Sequence, residues 1–160
     1  GCSFDELQNP ETLSYSNPKE GGILFRHLQQ LLLDYTQHEH FPKIDIGIIS
    51  PYKEQNEWLK DNILNYDLEK SKVESLQIKT IDGFQGEERD VIYISLVRSN
   101  EKHEIGFLND LRRMNVAITR ARKKLVVLGD SATIGASPFY QSFLEYCEKH
   151  GLYRTAWEWE

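Results

Sequence analysis

A chain of 160 residues with 39% hydrophobic and 28% charged residues is long enough for one substantial core and has the make-up of an ordinary soluble globular domain. A formal net charge of −6 excludes a protein that coats nucleic acid by charge alone, and no apolar run approaches the length of a membrane span. Two cysteines, Cys2 and Cys147, match no metal or redox spacing and point to a reducing, cytoplasmic setting.

In chain order, GCSFDELQNPETLSYSNPKEGG is rich in Asn, Pro, Ser and Gly and reads as an irregular leading loop. From roughly Lys19 to Gln37 apolar residues fall at helical spacing, with Asn17 as N-cap and Pro18 in the first turn. IDIGIIS, short and β-branched, predicts a buried strand, and KEQNEWLKDNILNY predicts a second helix. LQIKT is a second strand, TIDGFQGEERD a loop, and DVIYISLV a third strand, nearly apolar throughout as a strand covered on both faces should be. NDLRRMNVAITRAR predicts a helix capped by Asn109, KLVVLGD a fourth strand, and PFYQSFLEYCEKH a last helix stopped by Gly151. The closing TAWEWE alternates aromatic and acidic residues, as an edge strand or a terminal extension would. Strands alternating with helices predict one three-layer α/β domain with a mainly parallel sheet. Its parts are the leading loop over 1–18, a motif-bearing sheet core over 44–130, and a terminal helix and tail over 138–160.

Ligands of such sheets bind in loops at the carboxyl ends of strands. SPY, TIDGFQGEE and RSN follow the first three predicted strands and are therefore candidate binding loops. In the second, Gly83 and Gly86 flank Phe84 and Gln85; glycine permits close backbone approach to a ligand, Phe84 anchors the loop on the core, and the Glu88 carboxylate can accept hydrogen bonds from the hydroxyl pair of a sugar. Six of the thirteen residues from Arg112 to Lys124 are basic and none is acidic, so positive charge is focused on one segment of an acidic chain. HEH, His38 to His40, has no partners at metal-ligand spacing, and no metal site is expected.

ISPYKEQ, IKTIDGFQGEERDVIYISLVRSN and GFLNDLRRMNVAITRARKKLVVLGD resemble, in order, motifs IV, V and VI of superfamily 1 helicases. The match is nearest the branch containing the nonsense-mediated-decay and immunoglobulin-mu-binding-protein helicases. GCSFDE and YCEKHGLYRTAWEWE are similar to segments of the same branch, so the resemblance runs the length of the chain. It implies the second, C-terminal RecA-like domain of an AAA-type helicase core, with a P-loop-NTPase-like fold, cut from a longer protein. No GxxxxGK[ST] stretch and no strand-ending DE pair stands in this sequence, so the N-terminal RecA-like domain of the same chain would carry those parts and the fragment alone is expected to be inactive.

The resemblance further implies ATP hydrolysis, with Mg²⁺ held mainly by that missing lobe, and 5′-to-3′ translocation on single-stranded DNA or RNA. Arg120, the first arginine of TRAR, corresponds to an arginine finger. Glu88 would hold the ribose, Gly86 would let the backbone come close, and Gln85 would link nucleotide to nucleic acid. Arg113 is a second phosphate candidate, because seven residues before Arg120 on a helix restores its face. Arg122 would point away as structural or solvated charge. Ser50, Pro51, Tyr52, Thr80 and Arg98 would grip nucleic acid, and Asn115 would tie the third helix to a neighbouring loop. Some members of the branch place an arginine after the leading-loop Asn, where it reaches the nucleotide; here Pro18 and Lys19 follow Asn17. No membrane partner is expected. The alternative readings are a catalytically silent RecA-like scaffold and a part of a nuclease–helicase fusion.

Overall fold

Alternation inside the strands decides the layers. In the computed structural model, residues 4–69, 71–84, 86–150 and 153–159 are described; Cys2, Gln85 and Gly151, each given a reading above, lie outside them. The leading loop closes on itself in a short antiparallel pair, β1 (Leu7–Gln8) with β2 (Tyr15–Ser16). The main sheet comprises β3 (Ile44–Ile49), β4 (Val73–Lys79), β5 (Arg89–Ser95) and β6 (Ala121–Leu128), all parallel, in the order β4-β3-β5-β6.

One face of the sheet receives Ile44, Ile46 and Ile48 of β3 with Val91 and Tyr93 of β5. They pack under α1 (Pro18–Thr36), whose Leu24, Leu28 and Leu32 recur every four residues, and under α2 (Lys53–Leu59). Each such leucine contributes roughly 1.5–3 kcal/mol by leaving water. α2 widens into a π-helical turn over Lys60–Leu64, which keeps both Leu59 and Ile63 buried. The helices cross closely because Gly21 of α1 lies against the Trp58 ring, where a Cβ would collide.

The opposite face takes Ile49, Ile92 and Ile94, covered by α3 (Leu111–Ile118), α4 (Ser131–Ile134) and α5 (Pro138–Lys149). Among the described residues no α-helix joins β4 to β5. That crossover is the Ile81–Phe84 3-10 turn and the residues after it, with Phe84 fully buried on β3 where Gly47 leaves room; a Cβ on Gly47 would stand 3.1 Å from the Phe84 ring.

The α/β layering and parallel sheet match the sequence expectation, and Asn17 caps α1 through the Glu20 N–H. Three elements differ. The third helix stops at Ile118, so Arg120 stands in a turn and Arg122 in β6, and its cap is Asp110 rather than Asn109. β-branched and aliphatic residues after Arg120 pull the chain into the sheet before the helix can continue. α4, a four-residue helix capped by Asp130, carried no periodic signal. Of the two readings of the tail, edge strand or terminal extension, the strand does not form: the tail makes a 3-10 turn over Ala156–Trp159, where Trp159 packs on His27 of α1 and its carbonyl accepts from Arg26.

Candidate functional site

The residues singled out from the sequence fall at two opposite ends of the sheet. Ser50, Pro51, Thr80 and Arg98 follow the carboxyl ends of β3, β4 and β5, as expected. Glu88 immediately precedes β5 and Arg120 immediately precedes β6, and their neighbours Arg89 and Ala121 pair in register. Both therefore lie at the amino ends, about 20 Å from the carboxyl ends at the rise of an extended strand. One site at the carboxyl ends is thus corrected to two rims.

At the amino rim, the Arg120 guanidinium meets only neutral acceptors among the described residues. Its Nε donates to the Val116 carbonyl at 3.2 Å and Nη1 to the Glu87 carbonyl at 3.5 Å, and among the described residues no carboxylate lies within ion-pair reach. The neighbouring Glu88 is exposed, and its carboxylate has no partner among the described residues. Gly86 adopts φ +74 with open space where a Cβ would stand, so its backbone is approachable and its conformation favours glycine. Glu87 points to Arg89 in a 2.9 Å ion pair.

Arg122, unlike Arg120, is held by carboxylates. Its Nη2 lies 2.8 Å from each oxygen of Asp45, Nε 3.2 Å from Asp90, and Nη1 donates to the Glu88 carbonyl at 3.2 Å. These hydrogen bonds hold its pKa above the ordinary arginine value, those it donates to Asp45 first and then that to Asp90. Burial pushes the Asp90 carboxyl up, yet bonds from the Asp45 N–H and from Arg122 carry it below the usual aspartate value.

Arg113 is not brought to Arg120. It sits near the other end of α3 in exposed ion pairs with Asp82 at 2.9 Å and Asp110 at 3.6 Å. The seven-residue spacing does not carry it onto Arg120's face, because the helix ends before Arg120. Asn115 is exposed and its side chain makes no hydrogen bond among the described residues, so the expected tie to a neighbouring loop is absent there. Lys19, in the first turn of α1, belongs to the opposite rim: its neighbour Asn17 bonds the Val97 carbonyl beyond β5.

At the carboxyl rim, Thr80 is half-buried with its hydroxyl unbonded among the described residues, and Pro51 is partly exposed. Three further expectations are corrected. Ser50 is fully buried; Tyr52 is 2% exposed, stacked beneath Phe107; and Arg98 is 4% exposed, bonded to Glu6 at 2.9 Å with its guanidinium 4.0 Å from the Tyr15 ring centroid. Side chains so enclosed offer little surface to a polymer. A cavity of about 620 Å³ opens beside them, lined by Tyr15, Arg98, His103, Gly106 and Asn109 among others.

Sequence reading missed the buried carboxylate of Glu20. It accepts from the Ser95 hydroxyl at 2.6 Å and from the Val97 N–H at 2.9 Å, with Val97 itself held at φ +72. Burial is the largest influence and pushes its pKa up to about 7 from 4.5, against those hydrogen bonds. A raised carboxylate pKa means the folded state holds a proton that the unfolded chain releases. This group's stabilising share is complete below pH 4.5 and is lost as pH rises through about 7. The stability of the parent is therefore expected to fall between pH 5 and 8 relative to Glu20→Gln, read as urea midpoints at each pH; parallel curves would show that Glu20 ionises normally.

The model of a family described as AAA domain matches residues 2–132. Over 159 residues the chain is 38% identical to mouse (Mus musculus) DNA-binding protein SMUBP-2, covering 99% of this chain and 15% of that protein. It is 40% identical over 154 residues to the DNA polymerase alpha-associated DNA helicase A of Saccharomyces cerevisiae, covering 94% and 21%. With Helicase SEN1 of the same yeast it shares 39% over 143 residues, 86% of this chain and 6% of that protein. The chain thus spans about a fifth or less of these relatives.

Proposed function

Since this chain belongs to the AAA domain family, with a RecA-like fold and helicases among its relatives, we propose that it is the C-terminal motor domain of an ATP-dependent helicase. The observation that carries the reading is the state of the amino rim. Arg120 rests on two carbonyls without a carboxylate partner among the described residues, next to a carboxylate and a glycine that are open to a ligand.

A guanidinium that faces only neutral acceptors gives up little on meeting a phosphate, whereas one locked to two aspartates would give up a great deal. Arg120 is thus suited to act as an arginine finger, presented across a cleft to an N-terminal RecA-like lobe that binds Mg²⁺ and most of the nucleotide. Bound ATP supplies the phosphoanhydride whose cleavage drives the cycle. Glu88 accepts from the ribose hydroxyls, Gly86 admits the sugar close to the backbone, and Arg120 places its N–H groups where negative charge grows.

At the other end, Thr80 and the backbone near Pro51 hold single-stranded nucleic acid. Translocation follows from the separation: closing the lobes on nucleotide at the amino rim moves the strand-holding rim about 20 Å away, in the 5′-to-3′ direction of the helicase branch it resembles.

Strand-stimulated ATPase of the full-length protein, assayed with DNA and with RNA, tests this assignment. Within it, Glu88→Ala is expected to weaken nucleotide affinity about tenfold with much less effect on strand affinity, measured by titration of a fluorescent nucleotide and of a labelled oligonucleotide. Equal losses in both titrations would make Glu88 a support of the loop.

A further inference from the structure

The amino rim contains a second construction that the nucleotide reading leaves unused. β6 carries one extra residue against β5: Arg89 pairs with Ala121 and Val91 with Lys124, so the single Asp90 opposes both Arg122 and Lys123. β4 does the same against β3, where Ile44 pairs with Val73 and Asp45 with Ser75. Bulges are uncommon between parallel strands, and they re-aim side chains. Here the pair turns Asp45, Asp90 and Arg122 toward one another.

Asp45 and Asp90 exchange hydrogen bonds across β3 and β5, each carboxylate accepting the other's backbone N–H. Arg122 of β6 spans both carboxylates and adds the Glu88 carbonyl, while Lys123 stands 3.8 Å from Asp90. One guanidinium therefore fastens the amino ends of three strands. The residues it fixes are those on either side of the proposed nucleotide contacts: Glu88 by its own carbonyl, and Arg120 by being two residues away in a chain whose carbonyl accepts from Arg89.

We propose that Arg122 is a positioning residue for the nucleotide site, tying β3, β5 and β6 through Asp45, Asp90 and the Glu88 carbonyl so that Glu88 and Arg120 stand in fixed register. The proposal rests on the nucleotide reading for its kinetic consequence but not for its structural one. A lysine keeps the charge but offers one ammonium in place of a planar fork, and cannot meet two carboxylates and a carbonyl together. Geometry and charge can be separated on that basis.

Two measurements on the full-length protein decide it. Amide hydrogen exchange over residues 86–90 is expected to quicken in both Arg122→Gln and Arg122→Lys while exchange in α1 is unchanged; unaltered exchange over 86–90 overturns the proposal whatever the enzyme does. In kinetics, each variant is expected to lose about tenfold in kcat/KM for ATP, with strand affinity in the absence of nucleotide retained. Combining Arg122→Lys with Glu88→Ala should cost less than the product of the two single losses, because part of the effect of Arg122 acts through Glu88. Full additivity, or full activity in Arg122→Lys, would make Arg122 a balancing charge and overturn the positioning role. A parent protein with no nucleotide turnover would instead strike down the nucleotide reading, and the exchange result would still judge the tie.

Discussion

Arg120→Ala in the full-length protein is expected to lower ATP turnover about 10³-fold or more while leaving the fold and single-strand affinity intact. Loss of folding is not the cause anticipated, because Arg120 contributes only two hydrogen bonds to carbonyls, at 3.2 and 3.5 Å, and no ion pair among the described residues. Exposed or half-exposed bonds of that kind contribute about 1 kcal/mol or less. The loss is expected in kcat at saturating ATP, since a guanidinium aimed at developing charge acts in the transition state more than in the ground state. The thermal midpoint and oligonucleotide anisotropy should match the parent. Arg120→Lys should recover little, because a single ammonium cannot present a fork to two phosphate oxygens. A turnover number equal to the parent's would take Arg120 out of the mechanism, and the amino rim would then have no moving charge to offer a nucleotide.

The residues that set apart Arg120 from Arg122 show what could be read from the sequence. Strand positions were legible because IDIGII and DVIYIS have the runs of a strand covered on both faces, and both strands are where expected. The leading proline and asparagine likewise gave α1 its start. The third helix was overextended for a definite reason: Arg120 and Arg122 continue a helical pattern of charge, and only pairing with β5 converts that segment to strand. Once the helix ends at Ile118, the inference that Arg113 shares a face with Arg120 fails with it. The two-rim arrangement was also hidden, since a loop that starts after one strand and ends before the next gives no sign of crossing the whole face. Asp45 and Asp90 carried a weak signal, each a lone acid at the start of an apolar strand, but their partner Arg122 comes from far along the chain and its bulge has no sequence mark. The buried positions of Tyr52 and Arg98 depend on Glu6 and Tyr15 in a loop with no periodicity at all.

Arg98→Ala is expected to destabilise the protein by about 3–5 kcal/mol, the cost of leaving one member of a buried ion pair without the other. Glu6 accepts from Arg98 at 2.9 Å, from the Ser99 N–H at 2.7 Å and from Asn100 at 3.2 Å, with only 12% of its side chain exposed. Burial alone would lower the arginine's pKa, and the bonds to Glu6 and Tyr52 more than reverse that, so the guanidinium keeps its charge inside. Removing the guanidinium also empties its place over the Tyr15 ring, adding lost packing to lost charge. At the entropy of unfolding typical of this length, the thermal midpoint should drop by about 10 °C. Arg113→Ala provides the contrast, since its pairs with Asp82 and Asp110 are more than half exposed and should change stability by no more than about 0.5 kcal/mol. If Arg98 instead held a phosphate, its loss would spare stability and flatten the salt dependence of strand binding by about one ion. Replacing both partners, as Glu6→Gln with Arg98→Met, should recover part of the stability lost in the single variant, because no uncompensated charge is then left inside. A double variant less stable than either single one would mean that the hydrogen bonds from Ser99 and Asn100 to Glu6, and not the ion pair, hold the leading loop to the end of β5.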